Sequence, residues 1–388
     1  MMGRPGTTEF SPGLVRRSTS KEILKRFPLR NIDRLLLFAA LALGVIGVTM
    51  IFSATRADTP STYYLKRQLL FLVLGILMMA LGAGFDYHKI MPYSKIIYGV
   101  TVFALMIVLL FPARSGAHRW ISLGFFDSQP SEIAKLAVII MLATFIADRR
   151  MEIGSNKDFA MTLGLAGVPM FFIFLEPDLG MTISVFIIAV GMLLVGGARL
   201  RQIAALGAGT LIAVVVGWQL HLLKTYQVSR LLAFIKPDMD PLHSGYNLLQ
   251  SKIAIGSGQL AGKGLFQGTQ TNLKFIPEHH TDFIFSVIGE ELGFIGAVAL
   301  LAIFAVLLWR AFKIALTARD AFGTMLAIGI VIMFFFQIVV NVGMAVGMMP
   351  ITGIPLPFVS YGGSSLLVNF FCVGLLLNIG MRRFPQGT

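Results

Sequence analysis

Ten apolar runs, each long enough to cross a lipid bilayer, govern what this chain can fold into. A hydrocarbon core about 30 Å thick takes roughly 17 to 25 residues of helix. Runs of that length fall near residues 35–53, 69–85, 96–112, 131–147, 159–175, 179–197, 203–222, 283–309, 321–346 and 364–381. Hydrophobic residues make up 56% of the 388 and charged ones only 13%, with a mean hydropathy of +0.80. A soluble domain could not bury that much apolar surface. The expected fold class is all-α: a polytopic integral membrane protein of about ten transmembrane helices.

The net charge of +13 does not indicate nucleic acid, because Lys and Arg fall in short segments between apolar runs and form no single basic face. They read instead as topology. Arg16, Arg17, Lys21, Lys25, Arg26, Arg30 and Arg34 precede the first span, which places a tail of residues 1–34 in the cytoplasm. No small-residue cleavage site follows a short apolar stretch, so the tail is read as retained. Ten spans, occupying 35–382, return residues 383–388 to the cytoplasm. Lys89 and Lys95, then Arg149, Arg150 and Lys157, then Arg199 and Arg201, then Arg310, Lys313 and Arg319 fall on the inner side, whereas the links 176–178 and 346–363 carry no Lys or Arg. Cys372 is the one cysteine, which excludes an intrachain disulfide and a cysteine metal site. No internal repeat of the kind found in inverted-repeat transporters is visible.

This orientation puts the unusual segments outside. RSGAHRWISLGFFDSQPS joins spans three and four, and Glu176-Pro177-Asp178 makes a tight turn between spans five and six. The loop 223–282, between spans seven and eight, is too long to lack structure of its own. Helical spacing of Leu, Ile and Phe predicts two interfacial helices in it, near Tyr226–Ile235 and Tyr246–Ile255. The segment 346–363 carries Pro350, Pro355 and Pro357 in an apolar context. Irregular backbone of that kind is tolerated at a membrane only when buried in protein or lining a cavity.

Asp282 stands at the water edge of span eight, with Glu290 and Glu291 two turns inside it. Carboxylates at membrane depth are costly and mark sites by default. A helix N-cap is the competing reading of Asp282, and the two roles are compatible. Carboxylates ordinarily titrate near pH ~4 and accept protons at neutral pH, so Asp282 is expected at the centre of the chemistry. His279 and His280 lack ligand spacing, but Asp282, Glu132 and Glu290 form a possible oxygen site for a divalent cation, Mg or Mn. Glu132 and Lys135, three apart, share a helix face and pair, either as a structural ion pair or as part of a site. Trp120 reads as an interfacial anchor or, with Arg119, as the lining of a polar cavity. Asp178 belongs to the same outer side. The run GSGQLAGKGLFQG at 256–268 fails the phosphate-loop spacing, and Lys263 is followed by Gly264 instead of Ser or Thr, so it is read as a flexible segment. Ser360, Tyr361, Gly362, Gly363 and Ser364 open span ten, where free backbone N–H groups can cradle an anionic oxygen.

These residues resemble a known family. NVGMAVGMMPITGIPLPFVSYGGSS at 341–365 is similar to the signature of the SEDS proteins (shape, elongation, division and sporulation). HTDFIFSVIGEELG at 280–293, QPSEIAK at 129–135 and EPDLG at 176–180 match it too. The segment 245–270 resembles the elongation branch more than the division branch. The likeness spans nearly all of the chain after residue 30. It implies a peptidoglycan glycosyltransferase of the bacterial inner membrane that polymerises lipid II at the outer leaflet. A class B penicillin-binding protein and other elongation-complex membrane proteins would be its partners. Carried over by position, it implies Asp282 as the essential acid and Trp120, Glu132 and Lys135 as further functional positions. A flippase for the same lipid-linked precursor is the alternative, and a recruiting scaffold a third reading. Alternating access calls for polar groups through the bilayer centre, whereas the ionisable residues here gather at one end.

Overall fold

The computed structural model describes residues 31–383 apart from 57–61, 113–118, 123–126, 220–233, 235–243, 274 and 276–279. Its helices are α1 (Arg34–Thr55), α2 (Tyr63–Gly84), α3 (Ser94–Val108), α4 (Pro130–Asp148), α5 (Asn156–Leu175), α6 (Leu179–Val195) and α7 (Leu200–Gln219). There follow α8 (Ser244–Ser257), the single turn α9 (Thr269–Asn272), α10 (Ile284–Leu316), α11 (Ala321–Val346) and α12 (Gly363–Met381). Among the described residues nine segments are long and apolar enough to cross a membrane, the short turns at Tyr87–Tyr93 extending α3, and α6 is a slightly shorter apolar helix. Together they are the ten runs expected. The only strands among the described residues, β1 (Ile121–Ser122) and β2 (Asp127–Ser128), form an antiparallel ribbon before α4.

Helix starts follow local chemistry. Asp33 Oδ1 accepts the Leu36 N–H at 3.1 Å, a side-chain cap for one of the donors every helix leaves orphaned. The same carboxylate pairs with Arg310 Nε at 2.9 Å, tying the start of α1 to the far end of α10. Asp178 and Asp320 cap α6 and α11 in the same way.

Inside the bundle α12 lies along α2, α10 packs between α1 and α11, and α11 lies against α4. Helices α4 and α12 are buried over nearly their whole length and α7 over none of its span. That last helix packs chiefly on α6 and presents apolar side chains such as Leu211 and Ile212 outward, as a lipid-facing helix does.

Of the two helices expected in the long loop, 226–235 falls outside the described residues except for Phe234. The second is α8. One face of it packs into the bundle: Gly245, Leu248, Ser251 and Ala254 are buried, and Ser251 Oγ meets Ser286 Oγ of α10 at 2.6 Å and donates to the Ala345 carbonyl of α11 at 2.6 Å.

The largest departure from expectation is in α10, where helical geometry breaks at Gly293 (φ 65°, ψ −164°). The break exposes backbone groups, and the glycine-rich run satisfies them. Lys263 and Gly264 N–H donate to the Glu290 and Glu291 carbonyls at 3.0 and 2.9 Å, while Phe294 and Ile295 N–H donate to Gln259 and Leu260 at 2.8 and 3.1 Å. Non-helical backbone is tolerated beside a bilayer when protein pairs it in this way. A Cβ on Gly258 would stand 1.9 Å from the Gly289 oxygen, and one on Gly262 (φ +81°) 2.1 Å from that of Glu291. The glycines are there for close backbone approach, which corrects the reading of this run as flexible.

Candidate functional site

Four links meet at one end of the bundle: those between α3 and α4, α5 and α6, α9 and α10, and α11 and α12. They enclose a cavity of about 250 Å³. Arg119, Trp120, Asp178, Asp282, Tyr361, Gly362 and Ser364 line it, with Glu132 from the first turn of α4. Eight of the residues expected at a site from sequence are thus brought together from regions of the chain far apart in number.

Each wall has its own support. On the first, Gln129 N–H donates to Ser364 Oγ at 3.1 Å, and Ser364 donates in turn to the Asp127 carbonyl at 3.3 Å, so the ribbon is fastened to the start of α12. Gln129 Nε2 reaches Asp178 Oδ2 at 3.3 Å. Asp178 Oδ1 caps α6 through the Met181 N–H at 3.1 Å, and its Oδ2 lies 3.7 Å from Arg119 Nε. Arg119 also donates to the backbone carbonyls of Glu176, at 3.3 Å, and Pro177. The guanidinium is therefore held in place before any ligand arrives, the condition for effective electrostatic stabilisation.

The opposite wall is the proline-rich segment 347–362. Ile354, Leu356, Phe358 and Val359 are buried, so the segment is irregular backbone packed in protein, as expected. Gly353 (φ +74°) faces the acid, and a Cβ there would lie 3.4 Å from Asp282 Oδ2. Tyr361 N–H donates to the His280 carbonyl at 2.9 Å. The His280 ring packs against both Tyr64 and Tyr361, with centroids 4.8 and 5.7 Å away. Burial raises the titration of the Tyr361 phenol above its usual range.

Behind Glu132 lies Lys135, with Nζ 2.9 Å from Glu132 Oε2 and both side chains buried. The contact is close, but its directions do not form a hydrogen bond, so both groups keep capacity for another partner. A buried pair of this kind carries a desolvation cost and is weak evidence for stability alone. Glu176 is also fully buried and its carboxylate oxygens have no hydrogen-bond partner. Burial first, and then the charge of Asp178, push it up to about 8, against the pull of Arg119.

Four expected residues lie elsewhere. Lys135 stands behind the cavity wall. Ser360 Oγ accepts the Leu356 N–H at 2.8 Å and serves the loop. A Cβ on Gly363 would meet the Phe71 ring, so this glycine packs against α2. Glu290 is the clearest correction. Its carboxylate accepts from Lys263 Nζ at 2.7 Å, Gln270 N–H at 2.9 Å, Thr271 Oγ1 at 2.9 Å and Thr271 N–H at 3.2 Å. Those donors occupy both oxygens, and the group is absent from the cavity lining. Its neighbour Glu291 accepts from Ser53 of α1 at 2.6 and 2.7 Å. Among the described residues no three acidic, His or Cys side chains gather as a metal cluster. His279 falls outside the described residues.

Sequence reasoning missed Gln129, Met181, Thr281, Gly353, Pro355 and Ser365, which also line the cavity. Gln129 opened a recognised motif, and that was the available signal. Gly353 and Pro355 carry no ionisable group and gave none.

The fold and the site define a class: a multi-spanning membrane protein that gathers acids, a fixed guanidinium and an indole at one end of its helical bundle. Comparison with known proteins makes this specific. The chain belongs to the cell cycle protein family of FtsW, RodA and SpoVE, whose pattern matches residues 33–384. It is 40% identical to stage V sporulation protein E of Bacillus subtilis over 89% of this chain and 96% of that one. It is 37% identical to the peptidoglycan glycosyltransferase MrdB of Escherichia coli K12, covering 91% and 94%. Among solved structures, a chain of a peptidoglycan synthase complex that coordinates polymerization and crosslinking superimposes with a TM-score of 0.79 at 32% identity, covering 91% and 98%. The rod shape determining protein RodA of Thermus thermophilus gives 0.69 at 28%, also covering 91% and 98%.

Proposed function

We propose that this chain is a peptidoglycan glycosyltransferase that polymerises lipid II on the outer face of the bacterial inner membrane during elongation. Both ends of the chain lie in the cytoplasm, and a class B penicillin-binding protein crosslinks the product. The observation that carries the reading is the convergence of Asp282, Glu132, Arg119 and Trp120 on one cavity, together with the names borne by relatives.

Chain extension requires the acceptor sugar's 4-hydroxyl to attack the anomeric carbon of the donor. Asp282 takes the hydroxyl proton as the new C–O bond forms. The bond from the anomeric carbon to pyrophosphate breaks with its electron pair, and undecaprenyl pyrophosphate departs. One displacement inverts the anomeric centre, so no covalent sugar intermediate is needed. Arg119, fixed by the 176–178 turn, stabilises the charge on the leaving group, and Lys135 pairs with Glu132 at the cavity wall. The N-terminus of α12, with Gly362 and Ser364, offers backbone donors to phosphate oxygens. Trp120 supplies an apolar face for a sugar ring.

In the alternative role for Asp282, as an ion ligand instead of the base, Asp282 and Glu132 would hold a hard divalent cation, Mg or Mn, which is commonly held by one or two carboxylates plus substrate phosphate. Such an ion, when bound, would neutralise pyrophosphate charge. The test is glycan synthesis from lipid II by purified protein with its partner. Asp282→Asn is expected to lose activity while remaining folded and partner-bound. Chelation by EDTA is expected to lower the parent's rate, and added Mg or Mn to restore it.

A further inference from the structure

The backbone of the acid proposed as the base is held by a side chain from outside the cavity. Asp282 precedes the first turn of α10, in a stretch without regular helix, and the wall it faces is the irregular segment around Gly353. A backbone hydrogen bond from Tyr361 to the His280 carbonyl ties the two segments at one point, and one buried side chain joins them directly at the acid. Asn341, on α11 and fully buried, donates both amide hydrogens: Nδ2 lies 2.9 Å from the Asp282 carbonyl and 2.8 Å from that of Ile354.

We infer that Asn341 is a positioning residue for glycosyl transfer, clamping the backbone of Asp282 to the backbone beside Gly353 and so setting where the carboxylate stands in the cavity. The inference rests on the reading of Asp282 as the base.

The chemistry of the clamp is specific. Two backbone carbonyls converge on one nitrogen, and only a group with two N–H donors on a short stem serves both. Aspartate would place oxygens against oxygens. Leucine keeps the volume and leaves two carbonyls unpaired. The clamp matters to rate because displacing a reacting group by about 1 Å can cost on the order of 10²-fold.

The experiment measures polymerisation rate against lipid II concentration for the full chain with its partner, comparing the parent, Asn341→Leu and Asp282→Asn. Folding is followed by thermal melting. The expected result for Asn341→Leu is a kcat reduced by about 10²-fold, a KM little changed, and a melting temperature lowered by the two unpaired carbonyls in a chain still folded at the assay temperature. Where Asn341→Leu fails to fold, Asn341→Ser, which retains one donor, is expected to give an intermediate loss in kcat at unchanged KM. A kcat close to the parent's in Asn341→Leu, or activity lost in both variants only in proportion to folded protein, would overturn the inference while leaving Asp282 as the base. Retained activity in Asp282→Asn would overturn both.

Discussion

Glu176 is a carboxyl group buried two residues from another acid with no donor to satisfy it, and it gives the fold a pH dependence. In the folded chain it titrates at about 8, against an ordinary 4.5. The native state therefore keeps a proton that the unfolded chain releases. The stabilisation is complete below the ordinary value and is lost as pH rises through the folded one. Melting temperature is expected to fall between about pH 5 and 8, and Glu176→Gln, neutral throughout, to flatten that slope. Identical slopes in parent and variant would contradict the assignment. At the same scale, Asp282, Trp120 and Glu132 were legible in sequence because charge and indole at a membrane edge are costly or characteristic. Gly353 and Asn341 were not: one has no side chain, and the other is an amide inside an apolar run whose partners are backbone groups 59 and 13 residues away.

Among the elements, α10 carries the clearest lesson. Two acids within a hydrophobic run signal a site, and both are held here by contacts within the fold. Glu290 gathers the donors of α9 and Lys263, Glu291 reaches Ser53, and the broken backbone at Gly293 is completed by the glycine-rich run. A glycine in a helical pattern does not by itself announce a break. Nor can spacing reveal that a segment some thirty residues upstream will supply the missing hydrogen bonds. Glu290→Ala takes their acceptor from the partly exposed Lys263 ammonium and from the donors of Gln270 and Thr271, a loss that typically costs about 1–3 kcal/mol. The expected outcome is a lowered melting temperature and faster proteolysis between residues 256 and 272. Gly262→Ala should behave alike, since its methyl group would collide with the Glu291 carbonyl. Parent-like melting and protease resistance in both variants would refute this role.

For the whole molecule, the ten-span pattern was legible because length and hydropathy suffice to place membrane helices, and all ten runs correspond to observed helices. The relation of the helices to one another was not, since crossing partners such as α2 and α12 depend on packing far apart in sequence. Orientation is open to direct test. Cys372 is fully buried and leaves a quiet background for labelling. With Leu260→Cys and Leu316→Cys, both at strongly exposed positions near opposite ends of the bundle, an impermeant maleimide should label the first in right-side-out vesicles and the second only in inverted ones. The reverse pattern would place the cavity on the cytoplasmic side and exclude extracytoplasmic polymerisation. The central claim remains that Asp282 performs the proton transfer in this cavity, and the direct measurement is glycan chain synthesis from purified lipid II by the reconstituted complex. Asp282→Asn is predicted to make no polymer while melting like the parent and retaining its partner. Polymer formed by that variant at the parent's rate would contradict the account.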